Sequence, residues 1–313
     1  MASNLLRLHL QTTLKASPPI SISPSSLSFT NPSPHKRTLC SFPPTSREEA
    51  ISQAKLSLSS TLKKPLNNPI PVPTRKLKKL TQPRFRVEIP VVDDSPNSLI
   101  QLAFVVFANL PITRKGSIPA TLILWPNPTL AQLALQTFSS ATSVTNSDLS
   151  SVGTEILNSA DLAVFLAPEK SQVEDIKRVT TSLYPKPVVL FNPNWAFDEE
   201  KDFEMGNFLD SFDVVYSFMG LEVRGVIKRR KGVVFKCVKD GVVSGEVWEV
   251  MVEDEEGEEK GKLKVVTRFK RRPTIVEVES VLYNLMAANS PVTKSVKFLK
   301  DLVSNVTGKK DKQ

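Results

Sequence analysis

The chain has 313 residues, of which 41 are Lys or Arg and 32 are Asp or Glu, so that its net charge is +9 at neutral pH. Hydrophobic residues make up 40% and charged residues 23%, a composition typical of folded globular proteins. With two cysteines and two histidines, the chain excludes a disulfide framework and a multi-cysteine zinc cluster. Its longest apolar run, Leu99 to Leu110, is shorter than the roughly 18 to 20 residues that cross a bilayer.

Residues 1–46 contain ten serines, seven prolines and four basic residues, and the first acidic residue of the chain is Glu48. A Ser-rich N-terminus without acidic residues is typical of an organelle transit peptide, and the opening Met-Ala-Ser favours the chloroplast. We therefore predict a disordered chloroplast transit peptide over residues 1–44 and a plastid location for the mature protein. The other interpretation is a disordered tail that stays on the protein.

Removal of this segment would change the chemistry that the chain can perform. It would take away His9, His35 and Cys40, and Cys237 would be the remaining cysteine. Without an imidazole, neither a Ser-His-Asp or Cys-His relay nor a histidine metal site can be built. Asp, Glu, Lys and Tyr can still transfer protons, so enzymatic activity stays open, although the composition favours a non-enzymatic protein. We predict no catalytic residue, no cofactor and no metal.

The net charge without the transit peptide would be +5. This is mild for a nucleic-acid-binding protein, which usually carries a concentrated basic face, so we expect no nucleic-acid partner. It suits contact with an acidic protein or an anionic membrane surface.

Residues 45–83 are predicted to form an N-terminal helix and a connector. Ser46-Arg47-Glu48-Glu49 has the spacing of a capping box, and apolar residues at helical spacing predict a helix over 47–62. Residues 63–83 contain five prolines, which indicate an extended connector. The connector is either an anion-binding arm or a solvated linker, and its basic candidates are Arg75, Lys76, Lys78 and Lys79.

Residues 84–290 are predicted to form a single α/β domain. Alternation in residues 85–89 indicates a half-buried strand, and three continuous apolar runs indicate buried strands joined by amphipathic helices, as in parallel βαβ units. These runs are Thr121–Trp125, Leu162–Leu166 and Pro187–Phe191. Capping boxes are predicted at Ser171–Glu174 and Thr274–Glu277.

The last third of the chain has a different pattern. Arg230-Lys231-Gly232, Lys239-Asp240-Gly241 and Glu256-Gly257 are turn signals between short strand-like runs, which predicts an antiparallel meander over 222–270. Residues 291–313 are predicted to be a C-terminal helix and a basic tail. The predicted fold is α/β, with a mostly parallel central sheet flanked by helices and extended by the C-terminal antiparallel meander.

The expected ligand position in such a fold is the edge where the parallel strands end. The loops at those strand ends contain proline and asparagine but no glycine, which argues against a conventional phosphate-binding turn. Residues here could line a pocket or a docking surface, or they could be ordinary turn residues with a tryptophan covering the sheet edge. The candidates are Pro168, Asn192, Trp195 and Asp198.

Two charged clusters lie near predicted hairpin tips. Lys228, Arg229, Arg230 and Lys231 form a basic cluster, and residues 253–259 form an acidic one. Either cluster could contact a partner or surface of opposite charge, and either could instead protect an exposed sheet edge from aggregation. The consecutive acids lack the alternate spacing of a calcium loop.

Six short segments stand out in chain order: Arg86-Val87-Glu88-Ile89-Pro90, Leu166-Ala167-Pro168, Val189-Leu190-Phe191-Asn192-Pro193-Asn194-Trp195, Tyr216-Ser217-Phe218, Val247-Trp248-Glu249-Val250 and Arg272-Pro273-Thr274. In this order they resemble a plant and cyanobacterial family known as domain of unknown function 1995. The resemblance covers about residues 45–290.

One branch of that family is named for low photosystem II accumulation. The resemblance implies a chloroplast auxiliary factor that assists photosystem II assembly or stability through transient protein binding at the stromal thylakoid face. The implied partner is a photosystem II subunit or the thylakoid insertion machinery. Another plastid protein carries a similar domain appended to an adenylate kinase, and the alternative function is a plastid enzyme or a metabolite or nucleotide sensor that uses a crevice at the strand ends. The family has no agreed catalytic residues, so none is transferred to this chain.

Overall fold

The computed structural model describes residues 43–68, 82–89, 95–195, 206–224, 229–243, 246–254 and 262–288. These residues form one nine-stranded sheet with helices on both faces. The strands are β1 (Arg84–Glu88), β2 (Thr121–Trp125), β3 (Val144–Asp148), β4 (Leu162–Leu166), β5 (Val188–Phe191), β6 (Asp213–Arg224), β7 (Arg229–Cys237), β8 (Trp248–Glu253) and β9 (Leu263–Phe269). The helices are α1 (Arg47–Asn67), α2 (Pro96–Phe107), α3 (Pro128–Thr137), α4 (Thr154–Ser159), α5 (Val173–Ser182), α6 (Gly206–Leu209) and α7 (Ile275–Ala288).

The strand order is β3-β2-β4-β5-β1-β6-β7-β8-β9. From β3 to β6 the neighbours are parallel, and from β6 to β9 they are antiparallel, so β6 belongs to both halves. This confirms the predicted α/β class with an antiparallel C-terminal extension.

Two faces of the sheet carry different helices. Face one is covered by α1, α2 and α3, whose apolar residues share a core with inward residues such as Val87, Ile123 and Phe191. Face two is covered over its parallel half by α4, α5 and α6. Over its antiparallel half, α7 packs through Val278 and Leu282.

The buried strands β2 and β4 have the predicted bounds because each is a continuous apolar run whose residues are all buried. Strand β3 was not predicted. Its sequence, Val-Thr-Asn-Ser-Asp, is polar, which the position of β3 at the edge of the sheet permits. The Oδ1 of Asn146 accepts a hydrogen bond from the indole N–H of Trp125 at 2.9 Å.

Helix α1 packs on the sheet as part of the core. Its cap is the predicted Ser46, whose Oγ accepts the amide of Glu49, but the Glu49 carboxylate accepts from Thr45 rather than from the Ser46 amide. The helix continues five residues beyond the predicted end at 62. Its buried Ser57 donates to the Val215 carbonyl of β6 at 2.7 Å.

Two local predictions were wrong for identifiable reasons. Gly232 lies inside β7 and not in a turn: an added Cβ would come within 2.5 Å of the Met251 carbonyl oxygen, so the glycine allows close strand approach. The capping box before α5 uses Glu169 and Gln172 instead of Ser171 and Glu174. The box at Thr274 and Glu277 is confirmed.

Candidate functional site

At the carboxyl edge, the neighbouring strands β4 and β5 are flanked by two switch points. Strands β1 and β2 lead to helices on face one, whereas β4 and β5 lead to helices on face two. Crevices for ligands form where neighbouring strands lead to opposite faces, here between β5 and β1 and between β2 and β4.

The first switch point is bridged by Asn192. Its Oδ1 accepts the Ile89 amide at 2.7 Å and its Nδ2 donates to the Ile89 carbonyl at 2.8 Å. Its backbone amide donates to the Val87 carbonyl at 2.9 Å. The side chain thus continues the β1–β5 pairing beyond the last residue of each strand.

The second switch point is bridged by Gln172. Its Nε2 donates to the Pro126 carbonyl at the end of β2, at 2.7 Å. Its Oε1 accepts the Glu169 amide at 3.0 Å. Side-chain amides therefore tie together the loops at both crevices.

The loops after β4 and β5 share an unusual backbone conformation. Ala167 and Asn192 have φ of 42° and 45°, each directly before a proline. Such left-handed conformations are unfavourable for residues with a Cβ, least so for asparagine. Beyond Pro168 the two loops pair through Glu169 and Asn194, beside an open depression of about 580 Å³ lined by Glu169, Lys170, Ser171 and Asn194.

The predicted candidates Pro168, Asn192 and Trp195 come together at this edge. The Pro168 carbonyl accepts the Asn194 amide at 2.9 Å, and Trp195 packs partly buried against the core of face two. Asp198 and the basic residues Arg75, Lys76, Lys78 and Lys79 lie outside the described residues.

The antiparallel strands rise beyond the carboxyl edge as a wing. We define the wing as the part of β6–β9 beyond the row that runs across the sheet through Glu88, Ser217, Lys236, Trp248 and Phe269. Strand β6 continues for seven residues past Ser217, a rise of roughly 20 Å at about 3.3 Å per residue.

The basic candidates Arg229, Arg230 and Lys231 lie at the far end of the wing. They begin β7 and pair with Arg224, Val223 and Glu222 of β6. Lys228 lies outside the described residues. Since β6 runs parallel to β1 and β5, this basic end lies at the same end of the sheet as the carboxyl edge.

In the described part of the chain, one edge of the wing has no strand paired to it above β1. Within the described residues, β6 pairs with β1 only as far as Ser217, whereas its pairing with β7 continues to Arg224. Residues 218–224 of β6 therefore present a strand edge without a neighbouring strand in this part of the chain.

A buried ion cluster lies at the base of the wing on face two. The Glu88 carboxylate accepts from Arg86 Nε at 2.7 Å, Arg272 Nη2 at 3.0 Å and the Ser217 hydroxyl at 2.7 Å. Burial alone would raise the pKa of Glu88, but the neighbouring Arg272 and Arg86 and the Ser217 hydrogen bond lower it to about 2. The cluster connects the parallel half of the sheet to the segment that leads into α7.

Sequence reasoning missed this cluster and its neighbour Lys236. Lys236 is buried, and its Nζ lies 5.5 Å from the centroid of the Trp248 ring. The available signal was a lysine inside the apolar run Val233–Val238, which is unusual for a buried strand.

Neither a membrane-spanning helix nor a metal centre is found among the described residues. No helix there combines the length and apolar character needed to cross a bilayer. No group of three or more His, Cys, Asp or Glu side chains there is arranged to hold a metal ion.

Comparison with known proteins gives one match. A family model described as domain of unknown function (DUF1995) matches residues 44–280, a range that begins just before α1 and ends within α7. No curated protein and no solved structure matches the chain. The chain belongs to the DUF1995 family.

Proposed function

We propose that this protein is a chloroplast auxiliary factor that binds a protein partner transiently at the stromal face of the thylakoid and assists photosystem II assembly or stability, as in the low photosystem II accumulation branch of its family. The partner is a photosystem II subunit or the thylakoid insertion machinery. The acid-free, Ser-rich residues 1–46 support the chloroplast location.

The observation that carries the proposal is the open edge of β6 beside the basic end of the wing. An open strand edge offers backbone N–H and C=O groups to an extended peptide, which adds as a further strand. Arg229, Arg230 and Lys231 lie on the neighbouring strand at the far end of this edge. Their charge favours an acidic partner segment, so that attraction brings the partner in and backbone hydrogen bonds hold it.

The carboxyl edge gives the wing a hydrogen-bonded base. Asn192 and Gln172, the polar side chains at the two switch points, form hydrogen bonds with backbone groups of the neighbouring loop. They stiffen the edge from which the wing rises, and a rigid platform lowers the entropic cost of binding.

A second candidate function has an observation of its own. Strained backbone often occurs at functional sites, and the strained Ala167 and Asn192 adjoin the depression lined by Glu169, Lys170, Ser171 and Asn194. This favours a plastid enzyme or a metabolite or nucleotide sensor at the strand ends. A thermal-shift screen with nucleotides and plastid metabolites tests it: saturable stabilisation of wild type that Ser171→Ala weakens would support a ligand site here.

The test of the main proposal uses chloroplasts that express the tagged protein. Solubilised thylakoids are separated on blue-native gels after cross-linking, with wild type and the triple variant Arg229→Ala/Arg230→Ala/Lys231→Ala. We expect wild type to migrate with photosystem II assembly intermediates and the variant to be largely lost from them. A variant that removes three exposed lysines elsewhere, Lys63→Ala/Lys64→Ala/Lys177→Ala, is the matched control and should behave like wild type.

Migration of wild type only as a free monomer, even after cross-linking, would contradict the proposal. Equal loss of both triple variants would show that overall charge, and not the wing, directs the association.

A further inference from the structure

Lys236 is a buried lysine without an ion-pair partner among the described residues. Only 8% of its surface is exposed, and its ammonium forms no hydrogen bond or salt bridge within that part of the chain. Burial lowers its pKa, and the carboxylates of Asp213 and Glu246 partly oppose this effect. A buried ammonium is unfavourable unless an anion or acceptor compensates it.

A carboxylate of the same row accepts hydrogen bonds from other donors. Glu88 lies in the same row as Lys236, separated from it by Ser217, but its two oxygens accept from Arg86, Arg272 and the Ser217 hydroxyl. The Ser217 hydroxyl donates to Glu88 and does not accept a hydrogen bond from the Lys236 ammonium. Lys236 is left with the face of an indole as its polar contact.

A second cation approaches the same indole. The Arg272 guanidinium carbon lies 5.6 Å from the centroid of the Trp248 ring, while the Lys236 ammonium lies 5.5 Å from it. Arg272 also bonds Glu88 at the other end of the row, so its guanidinium contacts both Glu88 and Trp248. Two like charges thus converge on one aromatic ring at the base of the wing.

We propose that Lys236 and Arg272, with Trp248 as an apolar wall, form a binding site for a small oxyanion, either a phosphate or a carboxylate. The ammonium supplies a point charge and the guanidinium a planar set of donors. An anion between them replaces repulsion between two cations by two charge-assisted contacts. The site lies on face two, apart from the open edge of β6.

The test is thermal unfolding and titration calorimetry of the full-length chain with inorganic phosphate and, separately, with succinate, at ionic strength held constant with NaCl. We expect at least one of the two anions to stabilise wild type in a saturable manner. The anion with the lower half-saturating concentration identifies the ligand class as phosphate or carboxylate. Lys236→Met keeps the length of the side chain and removes its charge. We expect it to raise the midpoint of unfolding without anion, because the buried charge is gone, and to weaken anion binding by at least about tenfold.

The control is Lys177→Met, which removes an exposed lysine on α5 and should leave binding unchanged. Stabilisation of Lys236→Met by the anion as strong as that of wild type would overturn the proposal, as would the lack of saturable stabilisation of wild type by either probe.

If Lys236→Met does not fold, acetylation of wild type with acetic anhydride decides. The anion must protect Lys236 but not Lys177 in the peptide map, and equal labelling of Lys236 with and without anion overturns the proposal.

Discussion

The side-chain amide of Asn192 forms both hydrogen bonds that a neighbouring strand would form with Ile89: its Oδ1 accepts from the Ile89 amide at 2.7 Å, and its Nδ2 donates to the Ile89 carbonyl at 2.8 Å. This single side chain extends the pairing of the two central strands and closes the crevice between them. Its backbone is left-handed, with φ of 45°, which asparagine tolerates better than most residues.

Asn192→Ala is expected to destabilise the protein by about 2 to 4 kcal/mol. Two hydrogen bonds are lost, each worth about 1 kcal/mol, and alanine adds about 1 kcal/mol of strain in the left-handed conformation. Urea unfolding measures the change. Asn192→Gly loses the same bonds without the strain, so it should be the milder variant, and equal effects of the two would refute the backbone contribution.

Glu88→Gln is expected to cost about 3 to 5 kcal/mol near neutral pH, since it removes the carboxylate that pairs with the buried Arg86 and the half-buried Arg272. Chemical denaturation measures the loss. Glu155→Gln, on the exposed surface of α4, is the matched control and should change stability by less than about 0.5 kcal/mol.

Stability should also depend on pH through Glu88. Its pKa is about 2 in the folded protein and 4.5 ordinarily, so the lowered value stabilises the fold above pH 4.5, and this stabilisation is lost as the pH falls towards 2. The difference between the two values corresponds to about 3 kcal/mol. Unfolding midpoints measured from pH 6 to 2 should fall more steeply for wild type than for Glu88→Gln, and parallel curves would disprove the assignment.

Gly241→Ala tests the contact between α1 and the loop after β7. Gly241 has φ of 71°, and an added Cβ would lie 2.5 Å from the Ser60 carbonyl oxygen. Gly116 also has positive φ, of 87°, but has open space around it, so Gly116→Ala reports the backbone strain alone, about 1 kcal/mol. We expect Gly241→Ala to lower the unfolding midpoint clearly more than Gly116→Ala, and equal shifts would contradict the close packing of α1.

Association with thylakoids should depend on salt. Contacts between exposed charges weaken as the screening length falls, from about 10 Å at 0.1 M salt to about 3 Å at 1 M. Washing isolated thylakoids with rising NaCl should release wild type progressively. The fraction of the triple wing variant that stays bound at low salt should be small, and a wild-type fraction insensitive to NaCl would argue against electrostatic attachment.

Sequence patterns predicted the parts of the site that depend on residues close together in the chain. The rule that ligands sit at the ends of parallel strands placed Pro168, Asn192 and Trp195 on one edge, because the apolar runs before them identified β4 and β5. The same reasoning failed for Gly232, since a glycine beside charged residues suggests a turn, whereas here it lies where two strands approach closely.

Contacts between residues far apart in the chain could not be predicted from local sequence patterns. Glu88 bonds Ser217 and Arg272, which are 129 and 184 residues away in sequence. Which charges meet in a buried row depends on the register of four strands, and periodicity within one strand carries no information about that register.

Apolar periodicity and capping act over a few neighbouring residues, so these patterns were enough to predict the fold class, the buried strands β2 and β4 and the helix starts at Ser46 and Thr274. Long-range packing accounts for three further features: Asn192 closes a crevice, the basic residues of β7 rise beside the carboxyl edge, and Lys236 and Arg272 share one indole. Such contacts arise when strands far apart in sequence pack side by side, and their free energy depends on burial that no single segment possesses alone.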